Sequence, residues 1–88
     1  MSINVYFGRV VKQLRDTRRL SQEALAERAD LNRTYLGEVE RGVAVPSLAT
    51  IAKIATAFDL SSSDLLARSE LLLQEDEVRQ GELETAEA

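Results

Sequence analysis

The chain has 88 residues, a net charge of −4, and neither cysteine nor histidine. Disulfides, thiol nucleophiles, thiolate metal sites and the commonest general base are thereby excluded. Its 44% hydrophobic residues, four glycines and one proline fit one small globular domain, near the size at which a single core only just offsets conformational entropy. No apolar run approaches the ~20 residues of a membrane span and no signal-peptide core stands at the N-terminus, so a cytoplasmic location without membrane contact is expected.

The apolar spacing is helical throughout, with no strand-like alternation, which predicts an all-α fold. A first helix begins between Ile3 and Tyr6 and ends by Thr17, with Phe7, Val10, Val11 and Leu14 facing the core. Its other side carries Arg9, Lys12, Arg18 and Arg19, which read either as a solvated basic face or as contacts to an anionic backbone. Ser21 is an N-cap residue before a second helix, Gln22 to Ala29, and Asn32 repeats that signal before a third, Arg33 to Arg41. Leu25, Ala26 and Ala29, then Leu31, Tyr35, Leu36 and Val39, give each one buried stripe. Gly42 closes the third helix as a C′ glycine. Gly37, in mid-helix, costs about 0.5–1 kcal/mol relative to alanine and so points to a close approach by a partner backbone or a base.

The loop Val43 to Pro46 leads to Ser47, an N-cap, and a fourth helix from Leu48 to about Phe58. Leu48, Ile51, Ala52, Ala55 and Phe58 form its inward stripe and Ile54 widens it, beyond what one core needs. Asp59 to Ser62 turn the chain, with Ser61 or Ser62 capping a fifth helix. Three consecutive leucines, 71 to 73, cannot all enter the core of one small domain. From Gln74 the composition turns to Glu, Gln, Thr and Ala, which predicts an acidic, disordered tail over residues 74–88 behind a folded unit of residues 1–73. Residues 74–88 hold six acids and one base. Subtraction from the chain totals of 15 and 11 leaves nine acids and ten bases in residues 1–73, a near-neutral domain in which local patches matter more than the overall charge. Glu75, Asp76 and Glu77 splay around a helix and lack calcium-loop spacing, so they do not read as a metal site.

Ala26, Asp30, Leu36 and Val39 fall where helix-turn-helix proteins place a small residue, a turn residue and two hydrophobic residues that lock the second helix of the motif on the first. The surrounding words SQEALAERA and LNRTYLGEVERG resemble the Xre/Cro-like family of bacterial and phage regulators, and within it the small controller proteins of restriction-modification systems. The resemblance runs from about Phe7 to Leu66. Asp30 departs from the usual turn glycine, though aspartate tolerates the left-handed region better than most residues. The resemblance implies a compact five-helix, lambda-repressor-like domain that needs no cofactor. It also implies an ion pair between Arg15 and Glu40 and a phosphate contact from Gln22, with Val43 and Ser47 near the second phosphate strand.

In helix-turn-helix docking the N-terminal part of the recognition helix enters the major groove. That makes Asn32, Arg33, Thr34 and Glu38 the candidate base contacts: Arg33 can fork onto guanine, Thr34 can meet a base or a thymine methyl, and Glu38 can accept from cytosine while being repelled by phosphates. Arg9, Arg18, Tyr35 and Arg41 are further candidates for phosphate, Tyr35 being first a core residue and Arg41 equally a charge favoured at a helix C-terminus. Ile54, Leu65, Leu66, Leu72 and Leu73 are the residues expected at a dimer surface, since the family pairs through its fourth and fifth helices.

The expected function is a homodimeric, sequence-specific regulator on a pseudo-palindromic double-stranded DNA operator, with RNA polymerase a further partner at a promoter. The alternative is a protein-interaction module of antitoxin or adaptor type with weak or no DNA binding and the acidic tail as its contact, which Glu38 and the low pI favour and Arg33, Thr34 and the basic face of the first helix disfavour. No convergent catalytic set supports an enzyme.

Overall fold

A computed structural model describes residues 2–87, with side chains through residue 84. Five helices follow one another: α1 (Ile3–Thr17), α2 (Gln22–Arg28), α3 (Arg33–Glu40), α4 (Leu48–Ala57) and α5 (Ser62–Glu87). Phe7, Val10 and Val11 of α1 meet Leu25 and Ala26 of α2, Leu36 and Val39 of α3, Ile51, Ile54 and Ala55 of α4, and Leu65 of α5 in a single core. The helix α5 packs chiefly along α1 and then on α4, while α3 is held between α1 and α2. The outer side of α3 is thus left without a neighbouring helix.

Each start after α1 is set by a side chain. Ser21 Oγ accepts from Ala24 N at 3.0 Å. Asn32 Oδ1 accepts from Thr34 N at 2.8 Å and Tyr35 N at 3.2 Å. Ser47 Oγ accepts from Thr50 N at 3.1 Å, and Ser61 Oγ from Asp64 N at 3.0 Å. These contacts satisfy amides that a helix start leaves without a partner.

The four helix ends share one device. After each of α1 to α4 a residue takes positive φ: Arg19 (56°), Asp30 (53°), Gly42 (75°) and Asp59 (61°). The next amide then reaches back five residues, from Leu20 to Arg15 O, Leu31 to Ala26 O, Val43 to Glu38 O and Leu60 to Ala55 O, all within 2.8 to 2.9 Å. These are Schellman closures, in which a hydrophobic residue after the left-handed position packs back on the helix. Leu20, Leu31 and Leu60 do so; Val43 is 70% exposed instead.

Two expectations about burial are corrected. Leu48 and Ala52, assigned to the inward stripe of α4, are exposed, Leu48 at 82%. The buried side of α4 runs through Thr50, Ile51, Ile54 and Ala55. Ile54 and Leu65, expected at a dimer surface, are wholly buried in the protomer's own core. Ile54 of α4 and Leu65 of α5 belong to the same core cluster. Leu66 and Leu72 are half-buried against the core, Leu73 is half-buried and Leu71 exposed, so the leucine run does divide between core and surface.

The last helix, α5, extends through the acidic segment as one helix of 26 residues, about 39 Å long at 1.5 Å per residue. Ala88, the last residue of the expected tail, lies outside the described residues. A tertiary contact that composition does not encode holds this extension. The buried Tyr6 donates its Oη to Asp76 Oδ2 at 2.9 Å, and Arg9 Nη1 lies 3.3 Å from the same oxygen. Its hydrogen bond to Asp76, then burial, raise the Tyr6 phenol above its ordinary value, so the proton stays on the donor. Asp76 is thereby held beside the first turns of α1.

Candidate nucleic-acid interface

At 100° per residue, Arg33, Thr34, Gly37, Glu38 and Arg41 share one side of α3, and Tyr35, Leu36, Val39 and Glu40 the other. Leu36, Val39 and Glu40 are buried, whereas Arg33, Thr34 and Arg41 are exposed. Among the described residues neither the Arg33 nor the Arg41 side chain has a hydrogen bond or an ion pair. Both guanidiniums are available to a ligand.

Gln22, at the first turn of α2, joins Arg33, Thr34, Gly37 and Arg41 around an open recess of about 280 Å³. Its floor is Gly37, where an added Cβ would sit 3.1 Å from Arg41 Nη1, 3.7 Å from Gln22 Nε2 and 3.8 Å from Gln22 Oε1. The neighbours at Gly37 are thus two polar side chains of the same chain, where a partner backbone or a base was expected.

Behind the recess lies a buried polar cluster. Arg15 grips Glu40 with two parallel hydrogen bonds, Nε to Oε2 at 2.7 Å and Nη2 to Oε1 at 3.0 Å, and donates a third to Leu20 O at 2.9 Å. Gln22 Nε2 donates to Glu40 Oε1 at 2.9 Å. The Glu40 side chain is 3% exposed and that of Arg15 11%. Hydrogen bonding to Glu40 raises the Arg15 guanidinium above its ordinary value against the opposing effect of burial, and the carboxylate charge adds to the rise. The pair ties α1 to the end of α3, and the Gln22 bond ties the start of α2 to the same carboxylate. One buried charge therefore sets the mutual placement of three helices.

Other candidate contacts lie elsewhere or are already engaged. Arg18 donates to Phe58 O and lies over the Phe58 ring, 5.3 Å from its centroid, so it fastens α1 to the end of α4 and is not a free phosphate ligand. Arg9 stacks on Tyr6 at 5.1 Å and pairs with Asp76, on the α5 side of α1. Their basic character was legible in the sequence, but their partners, distant in the chain, were not. Asn32 has its side-chain oxygen occupied as the α3 cap. Tyr35 is half-buried with its Oη 3.2 Å from Thr50 Oγ1, and Ser47 Oγ is engaged with Thr50. Val43 is exposed in the loop after α3.

The sequence reading missed two small residues. At Gly8 of α1 a Cβ would lie 2.3 Å from Val39 O and 2.6 Å from Glu40 O, so the backbones of α1 and α3 meet there; a glycine in a helix interior was the available signal. Ser69 is fully buried with its Oγ donating to Leu65 O at 2.9 Å.

A capped two-helix unit with an open polar outer face, carried on a five-helix core, is the architecture of a helix-turn-helix DNA-binding transcriptional regulator. The chain belongs to the helix-turn-helix family, whose pattern matches residues 11–65. It is 42% identical over 66 residues to the control protein C.BamHI of Bacillus amyloliquefaciens, a match covering 74% of this chain and 82% of that protein. The restriction-modification controller protein C.AhdI from Aeromonas hydrophila is 45% identical, with a TM-score of 0.68, over 70% of this chain and 94% of that one. The clp gene regulator ClgR from Corynebacterium glutamicum superposes over 99% of this chain and 93% of its own with a TM-score of 0.91; at 21% identity it speaks for the fold alone.

Proposed function

We propose that this protein is a homodimeric controller-type regulator that occupies a pseudo-palindromic operator, each protomer laying its α3 in a major groove. The observation that carries the reading is the outer face of α3, where Arg33, Thr34 and Arg41 surround a recess with their polar ends unpaired and the opposite face is rigidly buried. Arg33 is the candidate for a bidentate contact to guanine O6 and N7, Thr34 for a neighbouring base, and Glu38 for a cytosine amine. Gln22 and Arg41 hold phosphates and fix register. Two-fold symmetry requires half-site centres about 10 base pairs apart, or a multiple.

The test is selection of bound sequences from a random duplex pool, followed by measurement on the recovered site. Arg33→Ala is expected to cost about 1–3 kcal/mol there and to relax preference at one base pair. Equal losses on selected and random DNA would reduce Arg33 to a phosphate contact. Failure to recover any site would return the protein-interaction reading.

The second copy is assigned to the exposed apolar residues beside the α3–α4 loop, now that Ile54 and Leu65 are known to be internal. Leu48 and Val45 are 82% and 77% exposed, and Ala52 follows Leu48 one turn on, an apolar strip of a kind that marks interaction surfaces. Sedimentation should show a dimer, and Leu48→Glu should give a folded monomer with weakened operator binding. A variant that still sediments as a dimer would move the interface elsewhere, with Leu71 and Val78 on α5 the next candidates.

A further inference from the structure

We infer that Gly37 is a positioning residue, present so that Arg41 of α3 and Gln22 of α2 converge on one backbone phosphate as a two-armed clamp. The inference rests on the DNA reading above and deepens it. Gly37 has ordinary helical φ, so the backbone does not require glycine there; the space above it does. Side chains on a helix lean toward its N-terminus, which brings the guanidinium of residue 41 back over residue 37. Arg41 Nη1 lies 3.1 Å from where a Cβ at 37 would stand, and the Gln22 amide less than 4 Å from it.

The two arms are held differently. Gln22 is fixed by its bond to Glu40 Oε1 and keeps a second N–H for a ligand, since an amide nitrogen carries two. Arg41 is held only by the shape of the recess. The charge of Glu40 does not repel an anion at this point, because Arg15 neutralises it with two hydrogen bonds and the carboxylate is buried. Arg33 lines the same recess and Glu38 does not, so the local field favours a phosphate. A methyl group at 37 meets the end of a flexible side chain at 3.1 Å, so it displaces the Arg41 guanidinium from its place beside Gln22 without breaking the fold.

The experiment measures duplex affinity at several salt concentrations for the parent protein, Gly37→Ala, Arg41→Ala and the double variant, with thermal melting of each. Gly37→Ala should melt no lower than the parent, since alanine is the better helix former, yet bind DNA roughly tenfold more weakly, the scale of one charge-assisted hydrogen bond. Its salt dependence should fall by about 0.9 in the log–log slope, one phosphate contact. Arg41→Ala should cause a similar loss in the parent and almost none in the Gly37→Ala background. Additive losses, or an unchanged slope for Gly37→Ala, would overturn the clamp while leaving the DNA reading intact. No duplex binding by the parent would overturn both.

Discussion

Replacing Gly8 by alanine is expected to lower stability by about 3 kcal/mol, at the upper end of the cost of overpacking a core. The added carbon would stand 2.3 Å from Val39 O and 2.6 Å from Glu40 O, far inside van der Waals contact. Those atoms belong to the last turn of α3 and cannot swing aside as a side chain can, so α1 and α3 must separate. Separation would also strain the Arg15–Glu40 grip that spans the same two helices. For a domain of this size 1 kcal/mol corresponds to about 4–8 °C in melting temperature, so thermal unfolding reads the effect directly. A Gly8→Ala protein that melts like the parent would mean that the two helices do not approach as described. The contrast with Gly37→Ala is the informative part, because these mid-helix glycines face different neighbours, backbone for Gly8 and flexible side chains for Gly37.

The second large effect is expected at Glu40. Its replacement by alanine strands the Arg15 guanidinium in a site where its side chain is only 11% exposed and removes the acceptor that fixes Gln22. Breaking a buried pair from one side costs about 3–5 kcal/mol, and the small residual exposure of Arg15 puts the loss near the lower figure. Arg15→Ala should also destabilise, and the double change should cost less than the sum of the two. Strict additivity in thermal or denaturant melts would show that the two residues do not act as a pair. Because the guanidinium pKa is raised, the stabilisation from the Arg15 proton is present below the ordinary arginine value and is lost as pH rises through the raised one. An alkaline loss at lower pH must arise elsewhere. Glu40→Ala should weaken DNA binding beyond its effect on folding, since Gln22 then loses its anchor.

The helices after α1, their caps and the polar face of α3 were legible because each rests on short-range chemistry: Ser21, Asn32, Ser47 and Ser61 cap amides two or three residues away, and the face of α3 follows from helical spacing. Burial depth was not legible in α4 and α5. Periodicity says which residues share a side, but not whether a neighbouring helix covers that side, which is why Ile54 and Leu65 proved internal and Leu48 external. The partners of Arg9 and Arg18 were hidden for the same reason: Asp76 and Phe58 lie 67 and 40 residues away. The Tyr6–Asp76 contact was equally hidden, because the two residues lie 70 positions apart.

The left-handed closures at the helix ends carry a consequence for how this regulator can change. Arg19, Asp30 and Asp59 occupy a backbone region that costs an L-residue roughly 1–2 kcal/mol and costs glycine almost nothing. Three of the four junctions therefore hold stability in reserve, reachable by single substitutions. Arg19 and Asp59 adjoin the Arg18–Phe58 contact, away from the recess on α3. Losses incurred while the recognition surface drifts toward a new operator can be recovered at these junctions, so the evolution of specificity and the maintenance of the fold are separable in this chain.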